Sequence, residues 1–319
     1  MNNVEVILAT YNGERFIEEQ LASLIKQTRK PDHIIISDAG STDATINICQ
    51  SILARCNIDY TILKSKKKLT PSENFYKGIS ASVGDVLFFC DQDDYWNRRK
   101  IEIMLMKMEE KKADLVFCNA EICKNNLDSA NISMWDSIKF DAEYRNCVFY
   151  KCNEKYITRL LQNNVVTGMC MCINGHFARK FNKKFKNVLH DEWLAFCSAL
   201  WGVTFSLDEQ LVLYRQHGNN AVGINQPFVN KIKKISHHII YLEKNMSLLD
   251  EICKFDDIPV RIRDDIFDKR RYLHVRINAI NNNCLAIFNN IQLYKKYEIN
   301  PFVAILKDMF CYFRIRFVC

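Results

Sequence analysis

No stretch of this 319-residue sequence approaches the ~20 consecutive apolar residues that span a bilayer, so a membrane-crossing helix is not expected. The start, MNNVEVILATYNGERF, lacks the basic n-region, apolar h-region and cleavage site of a secretory signal. The fold is therefore expected to begin with these residues. The 14 cysteines include no C-x-x-C pair and no pairing with histidines at zinc spacing. Many lie inside apolar runs, Cys90 in VLFFC and Cys118 in LVFC, where a free thiol behaves as a small hydrophobe. Reduced core cysteines of a cytosolic protein are expected, not a disulfide framework. No internal repeat or low-complexity tract is visible, and no Gly-rich phosphate loop follows the first strand, where TYNGE stands instead.

What is present is the composition of a globular protein, 48% hydrophobic and 25% charged, sufficient for one large domain with an appendage or two unequal domains. The formal charge of +7 is unevenly spread: residues 227–319 carry 16 Lys+Arg against 10 Asp+Glu, and residues 1–226 are nearly neutral. Aromatic stacking motifs and a DNA-reading helix are missing, so nucleic acid is not an expected partner. An anionic membrane surface is.

The first half alternates short β-rich runs with helix-period segments, the pattern of an α/β sheet with helices on its faces. VEVILAT (4–10), HIIISD (33–38), YTILK (60–64), VLFFC (86–90) and LVFCN (115–119) read as strands. Helices are expected from 16 to 27, after GSTDA with Ser41 or Thr42 as N-cap, from Pro71 to Gly84, and over 98–112. Residues 124–155 are polar and aperiodic, with Trp135 and Phe140 interspersed, and read as a long lid or substrate loop. MCMCI (169–173) reads as a strand, DEWLAFCSALW (191–201) as a helix, and VTFSL and QLVLYR as two strand pieces near the sheet edge. From Pro227 the pattern changes to long helical segments, giving expected domains of 1–226 and 227–319. In the last segment, Phe302, Ile305, Leu306, Met309, Phe310 and Phe313 form one apolar stripe, with Lys307 and Arg314 off it. That stripe either lies in a headgroup plane or docks on the rest of the chain.

Candidate chemistry gathers at strand ends, where open α/β sheets bind ligands. Thr10, Tyr11 and Asn12 end the first strand, Asp38 the second, and Asp91 and Asp93 the fourth, around one expected crevice. Asp38-Ala39-Gly40-Ser41 also suits a plain turn and helix cap. The carboxylates of Asp91, Asp93 and Asp94 repel one another unless a cation or helix N-terminus offsets them, and hard oxygen donors of this kind suit Mg²⁺ or Mn²⁺ shared with phosphates. A solvated acidic turn is the alternative. Tyr95-Trp96 is a core anchor or a sugar platform.

The segments ILATYNGERFIEEQLASLIKQT, IIISDAGSTD, GDVLFFCDQDDYW, HDEWL and LVLYRQHGNN occur in the order seen in the family 2 glycosyltransferases, and the chain resembles that family over residues 4–223. Among its members it is most similar to the bacterial rhamnosyltransferase-like and O-antigen or capsule enzymes. The resemblance implies a GT-A fold and inverting, metal-dependent transfer from a nucleotide-diphosphate sugar to a hydroxyl of a lipid-linked bacterial surface glycan, at the inner face of the bacterial plasma membrane. It implies that Thr10, Tyr11 and Asp38 hold the nucleoside, Asp38 by accepting from the base, with Asp91 near the ribose. Asp93 would hold Mn²⁺ or Mg²⁺ and His217 would be a further metal or phosphate contact, with Arg215 as the other phosphate candidate. Asp191 matches the general base, although its position opening an apolar helix also suits a cap. Ala39 stands where the family usually has a second aspartate, and Met169 lies near a common threonine. A nucleotidyltransferase on a similar sheet and a silent glycan-binding module are the competing readings.

Overall fold

Seven residues in a row, Val4–Thr10, are buried, and that run forms β1 at the centre of the sheet. Its neighbours are β2 (His33–Asp38) and β4 (Val86–Asp91), both parallel to it. Each Val, Leu, Ile or Phe side chain fully removed from water contributes about 1.5–3 kcal/mol, so continuous apolar runs with no polar alternation are placed where both faces are covered. β3 (Asp59–Lys64) alternates exposed and half-buried residues, as an edge strand should. The computed structural model describes residues 2–183, 185, 188–217, 235–282, 284–298 and 300–317.

The chain divides into two units, the first comprising Met1–Lys151, Val165–Lys184 and Leu189–Ile224. Its sheet has the order β3-β2-β1-β4-β9-β6-β10-β5, where β5 is Tyr95–Trp96, β6 Leu115–Cys123, β9 Met171–Asn174 and β10 Thr204–Arg215. β9 is antiparallel to both β4 and β6. The sheet is therefore mixed and mostly parallel. Helices α1 (Ile17–Ile25), α2 (Thr45–Leu53), α3 (Pro71–Ala81) and α4 (Lys100–Lys111) join its first strands. Helix α3 starts where Pro71 predicts: the Thr70 hydroxyl accepts from the Glu73 amide at 3.3 Å and Glu73 Oε2 accepts from the Thr70 amide at 2.9 Å.

Three expectations are corrected. Neither Ser41 nor Thr42 caps α2, which begins at Thr45; the Ser41 hydroxyl is drawn back to Asp38 at 2.5 Å. Residues 124–155 are not an irregular loop. They contain β7 (Ser129–Ser133), which pairs with β6, helix α5 (Met134–Ser137), a 3₁₀ turn at Ala142–Tyr144, and β8 (Val148–Phe149), which pairs with β10. The aromatic residues hold this segment down: Trp135 and Phe140 are buried, edge to face at 4.8 Å, with Phe117 of β6 beneath them. VTFSL and QLVLYR are one strand, β10, bent by register shifts between Leu207 and Val212 and paired along its length with β6. Helices α6 (Glu154–Gln162), α7 (Gly175–Lys180) and α8 (His190–Trp201) follow in chain order.

The second unit comprises Cys152–Asn164, Phe185–Val188 and Asn225–Cys319; the sequence boundary at 226/227 lies outside the described residues. It contains α6 and α9 (Ile235–Ile252), α10 (Val260–Asn281), α11 (Ile291–Tyr297) and α12 (Pro301–Phe317). Its interior is polar at one point. Arg276 on α10 makes a two-pronged bond to the wholly buried Asp308 on α12, at 2.7 and 2.9 Å, and Tyr294 donates to the same carboxylate at 2.6 Å. Ala304, Asp308 and Cys311 face inward, whereas Phe302, Val303, Leu306, Phe310 and Phe313 are exposed. Of the expected apolar stripe, Ile305 and Met309 lie half-buried at its border. The side chain of Arg314, and Val318 and Cys319 entirely, lie outside the described residues.

Candidate active site

The carboxyl ends of β1, β2 and β4 converge, and their loops are tied to one another by side chains. Gln92, just past β4, accepts from the Tyr11 amide at 2.8 Å and donates to the Tyr11 carbonyl at 3.1 Å. This amide pairing staples the loop after β1 to the loop after β4. Asn12 takes a left-handed conformation, φ 46°, which its short polar side chain tolerates by accepting from the Thr42 amide at 2.9 Å. A Cβ on Gly13 would come within 2.2 Å of Gln92 Oε1, so glycine is required there for the staple to close.

Asp38 is fully buried and its carboxylate has four internal donors: the amides of Gly40 and Ser41 at 3.0 and 2.9 Å, and the hydroxyls of Thr10 and Ser41 at 3.0 and 2.5 Å. Four is about the full acceptor capacity of a carboxylate. The expected bond from Asp38 to a nucleobase would have to displace one of them. Tyr11 stays half-buried, with the Lys68 ammonium 4.4 Å above its ring.

The three acidic residues after VLFFC have three different surroundings. Asp93 accepts from, or donates to, His217 Nε2 at 2.7 Å. His217 stacks on Phe16 at 4.8 Å. Asp94 points inward, is wholly buried, and accepts from the Arg215 amide at 3.1 Å; burial, with Asp93 and Asp91 beside it, raises its pKa well above the usual carboxylate value. Asp91 is half-buried; burial raises it too, the charges of Asp93 and Asp191 add to the rise, and Lys100 opposes it. The repulsion anticipated from the sequence is thus met in part by a histidine at Asp93 and by the inward turn of Asp94.

Arg215 belongs to the wall of the site. Its Nε donates to the Asp93 carbonyl at 2.8 Å, its other nitrogens reach the Asn125 carbonyl and Glu19, and its guanidinium lies 4.9 Å from the Phe16 ring. Buried and so engaged, it anchors the Asp93–Asp94 turn, and the alternative of a phosphate contact is not supported. Gly218-Asn219-Asn220 of the same motif lie outside the described residues.

Asp191 stands on the second position of α8, inside the helix and not at its cap. Its two oxygens accept from the Gly168 amide at 2.9 Å and the Glu192 amide at 2.7 Å, which favours the ionised form, as does the helix N-terminus. His190 beside it is wedged against Phe75 at 4.0 Å and Phe89 at 5.2 Å, and burial pushes it down to about 3, so it is a neutral packing residue. The charge of Asp191 acts on Asp91 and raises it.

Among the described residues no group of three or more His, Cys, Asp or Glu is arranged to hold a metal. The pair Asp93 and His217 offers one oxygen and one nitrogen donor, a set that fits a divalent cation completing its shell with phosphate oxygens and water.

The family model described as glycosyl transferase family 2 matches residues 5–182. The chain belongs to that family. This family 2 glycosyltransferase is 31% identical over 272 residues to the dTDP-rhamnosyl transferase RfbG of Shigella flexneri, covering 82% of this chain and 86% of the relative. It is 28% identical over 155 residues to the UDP-Glc:alpha-D-GlcNAc-diphosphoundecaprenol beta-1,3-glucosyltransferase WfaP of Escherichia coli, covering 46% and 57%. Among solved structures, residues 1–349 of S. aureus TarS with UDP-GlcNAc superpose with a TM-score of 0.61 at 15% identity, over 97% of this chain and 89% of that one. The fold of the transferase is accordingly GT-A. The nucleotidyltransferase and the silent binding module are set aside. Sequence reasoning missed Gln92, Gly168 and Lys100, none of which carries a recognisable spacing; only their contacts reveal them.

Proposed function

We propose that this glycosyltransferase moves a sugar, with inversion, from a nucleoside diphosphate to a hydroxyl of a lipid-linked bacterial glycan, working at an anionic membrane surface. The observations that carry the reading are the Asp93–His217 pair just past the carboxyl end of β4 and a doubly hydrogen-bonded Asp191 at the start of α8. Asp91 and Tyr11 border the donor, and the Asp38 turn shapes its floor from behind. Asp93 and His217 would hold Mn²⁺ or Mg²⁺, which when bound stabilises charge on the leaving diphosphate. Asp191 accepts the proton of the acceptor hydroxyl as that oxygen attacks the sugar carbon from the face opposite the diphosphate. Its two amide donors hold the carboxylate in one orientation.

The lipid-linked acceptor is supported by the likeness to a transferase acting on a diphosphoundecaprenol-linked sugar. Membrane attachment is supported by α12, where Phe302, Val303, Leu306, Phe310 and Phe313 occupy an arc of roughly 100° with the exposed Lys307 beside it. Among the described residues no helix is long and apolar enough to cross a bilayer.

Turnover of UDP-, dTDP- and GDP-sugars with Mn²⁺, Mg²⁺ or chelator, against a diphosphoundecaprenol-linked acceptor, tests the reaction; transfer that is unaffected by chelation would exclude the metal. Because Asp308 is an interior ion-pair partner, deletion of α12 would unfold the unit, so attachment is tested with Leu306→Glu/Phe310→Glu. That variant should lose flotation with anionic liposomes while staying folded, and undiminished flotation would remove α12 as the anchor.

A further inference from the structure

Lys100, the first residue of α4, is wholly buried, yet its ammonium faces no carboxylate in hydrogen-bond reach: it donates to the Met169 carbonyl at 2.6 Å and lies 3.2 Å from the centre of the Trp96 ring. The thiols of Cys118, Cys170, Cys90 and Cys172 surround it, and burial lowers its pKa. An ammonium removed from water, with one carbonyl, aromatic rings and the charge of Asp91 beyond hydrogen-bond reach for compensation, is a standing cost to the fold. A methionine of similar length would fill the same space without that cost.

What the ammonium holds is the segment that leads to Asp191. Gly168–Cys170 is a single 3₁₀ turn, closed by the Cys170 amide on the Thr167 carbonyl at 2.9 Å. So short a turn has little stability of its own. The Gly168 amide is the donor to Asp191 Oδ2, and a Cβ at Gly168 would lie 2.8 Å from His190 Nε2, so the backbone passes tightly against the start of α8. The Met169 carbonyl lies two peptides along, within the same turn.

We propose that Lys100 is a positioning residue for Asp191: by holding the Met169 carbonyl it fixes the short turn whose first amide, that of Gly168, lies on the carboxylate, and so sets where the base stands. The inference rests on the reading of Asp191 as the base. Lys100 reaches no substrate. It acts through one turn of backbone, and the energetic cost of its burial is the trace of that task.

The test is a double-variant cycle in the full-length protein: Lys100→Met, Lys100→Gln, Asp191→Asn and Lys100→Met/Asp191→Asn. Lys100→Met should lower kcat roughly 10- to 100-fold, the scale of a misplaced catalytic group, with donor KM and calorimetric affinity for dTDP or UDP with Mn²⁺ within about twofold of wild type. Its melting temperature should be equal or higher, because the buried charge is gone. Lys100→Gln, which keeps a donor toward the carbonyl, should recover part of the loss and carries the same comparison if the methionine variant does not fold. In the Asp191→Asn background Lys100→Met should cost nothing more. Full kcat in Lys100→Met, or additive losses in the double variant, would overturn this inference alone. Wild-type turnover by Asp191→Asn would overturn the base reading and this inference with it.

Discussion

Replacing Asp191 by asparagine changes one atom at the point where the reaction needs a proton acceptor, and the structure allows its two consequences to be separated. The carboxylate accepts from two backbone amides, Gly168 at 2.9 Å and Glu192 at 2.7 Å. An asparagine keeps one acceptor oxygen and must turn its amide nitrogen toward the other donor, so one charge-assisted hydrogen bond is lost, at about 1.5–3 kcal/mol. For a unit of this size, that is a fall in Tm of several degrees. Loss of a general base lowers kcat by about 10²- to 10⁴-fold, or about 3–5 kcal/mol of barrier at ~1.4 kcal/mol per tenfold. Donor affinity should change little, because neither amide belongs to the loops after β1, β2 and β4. Assays at 25 °C, well below the melting transition, measure kcat and donor KM, with calorimetry of the nucleoside diphosphate beside them. Near-wild-type kcat in the folded variant would refute the base role, and a fall in donor affinity matching the fall in kcat would move Asp191 to the donor side.

Asp93→Asn should weaken Mn²⁺-dependent binding of the nucleoside diphosphate and abolish turnover while leaving metal-free binding unchanged; equal affinity with and without Mn²⁺ in wild type would end the case for Asp93 and His217 as metal ligands. Lys269, buried beside Tyr272 and Tyr297, is lowered to about 7, first by burial and then by Arg276. Against an unfolded value of ~10.4, the unfolded chain binds the extra proton between about pH 7 and 10.4, so this group makes stability rise with pH across that window. Lys269→Met should therefore stabilise the second unit more at pH 7 than at pH 10 in urea unfolding, and a gain independent of pH would contradict the burial argument. Trp135→Ala should cost about 3–5 kcal/mol, as for a large core aromatic, where a lid residue would cost little; denaturant titration decides.

The strands were legible because their apolar runs are long and uninterrupted: VEVILAT, HIIISD and VLFFC occupy the expected positions to within a residue. Residues 124–155 were misread because their order comes from three buried aromatics acting across distance, Trp135, Phe140 and Tyr144, between polar residues that match no period. Asp38 was found by its place at a strand end, but its four internal donors come from backbone and hydroxyls that no spacing announces. Of the acidic run, composition gives three equivalent carboxylates, whereas Asp94 turns inward and Asp93 outward, a difference decided by β5 pairing with β10. Lys100 looks like any helix-opening lysine until its depth is known.

Strand β9 runs against its neighbours and lies along the first residues of both, Asn174 beside Val86 of β4 and Ile173 beside Leu115 of β6. Two separate lengths of polypeptide meet at a three-pair seam, Val86 with Asn174 through Phe88 with Cys172. The Asp93–His217 pair likewise joins the front of the chain to its rear, so a chimera joined in α4 takes one member of that pair from each parent.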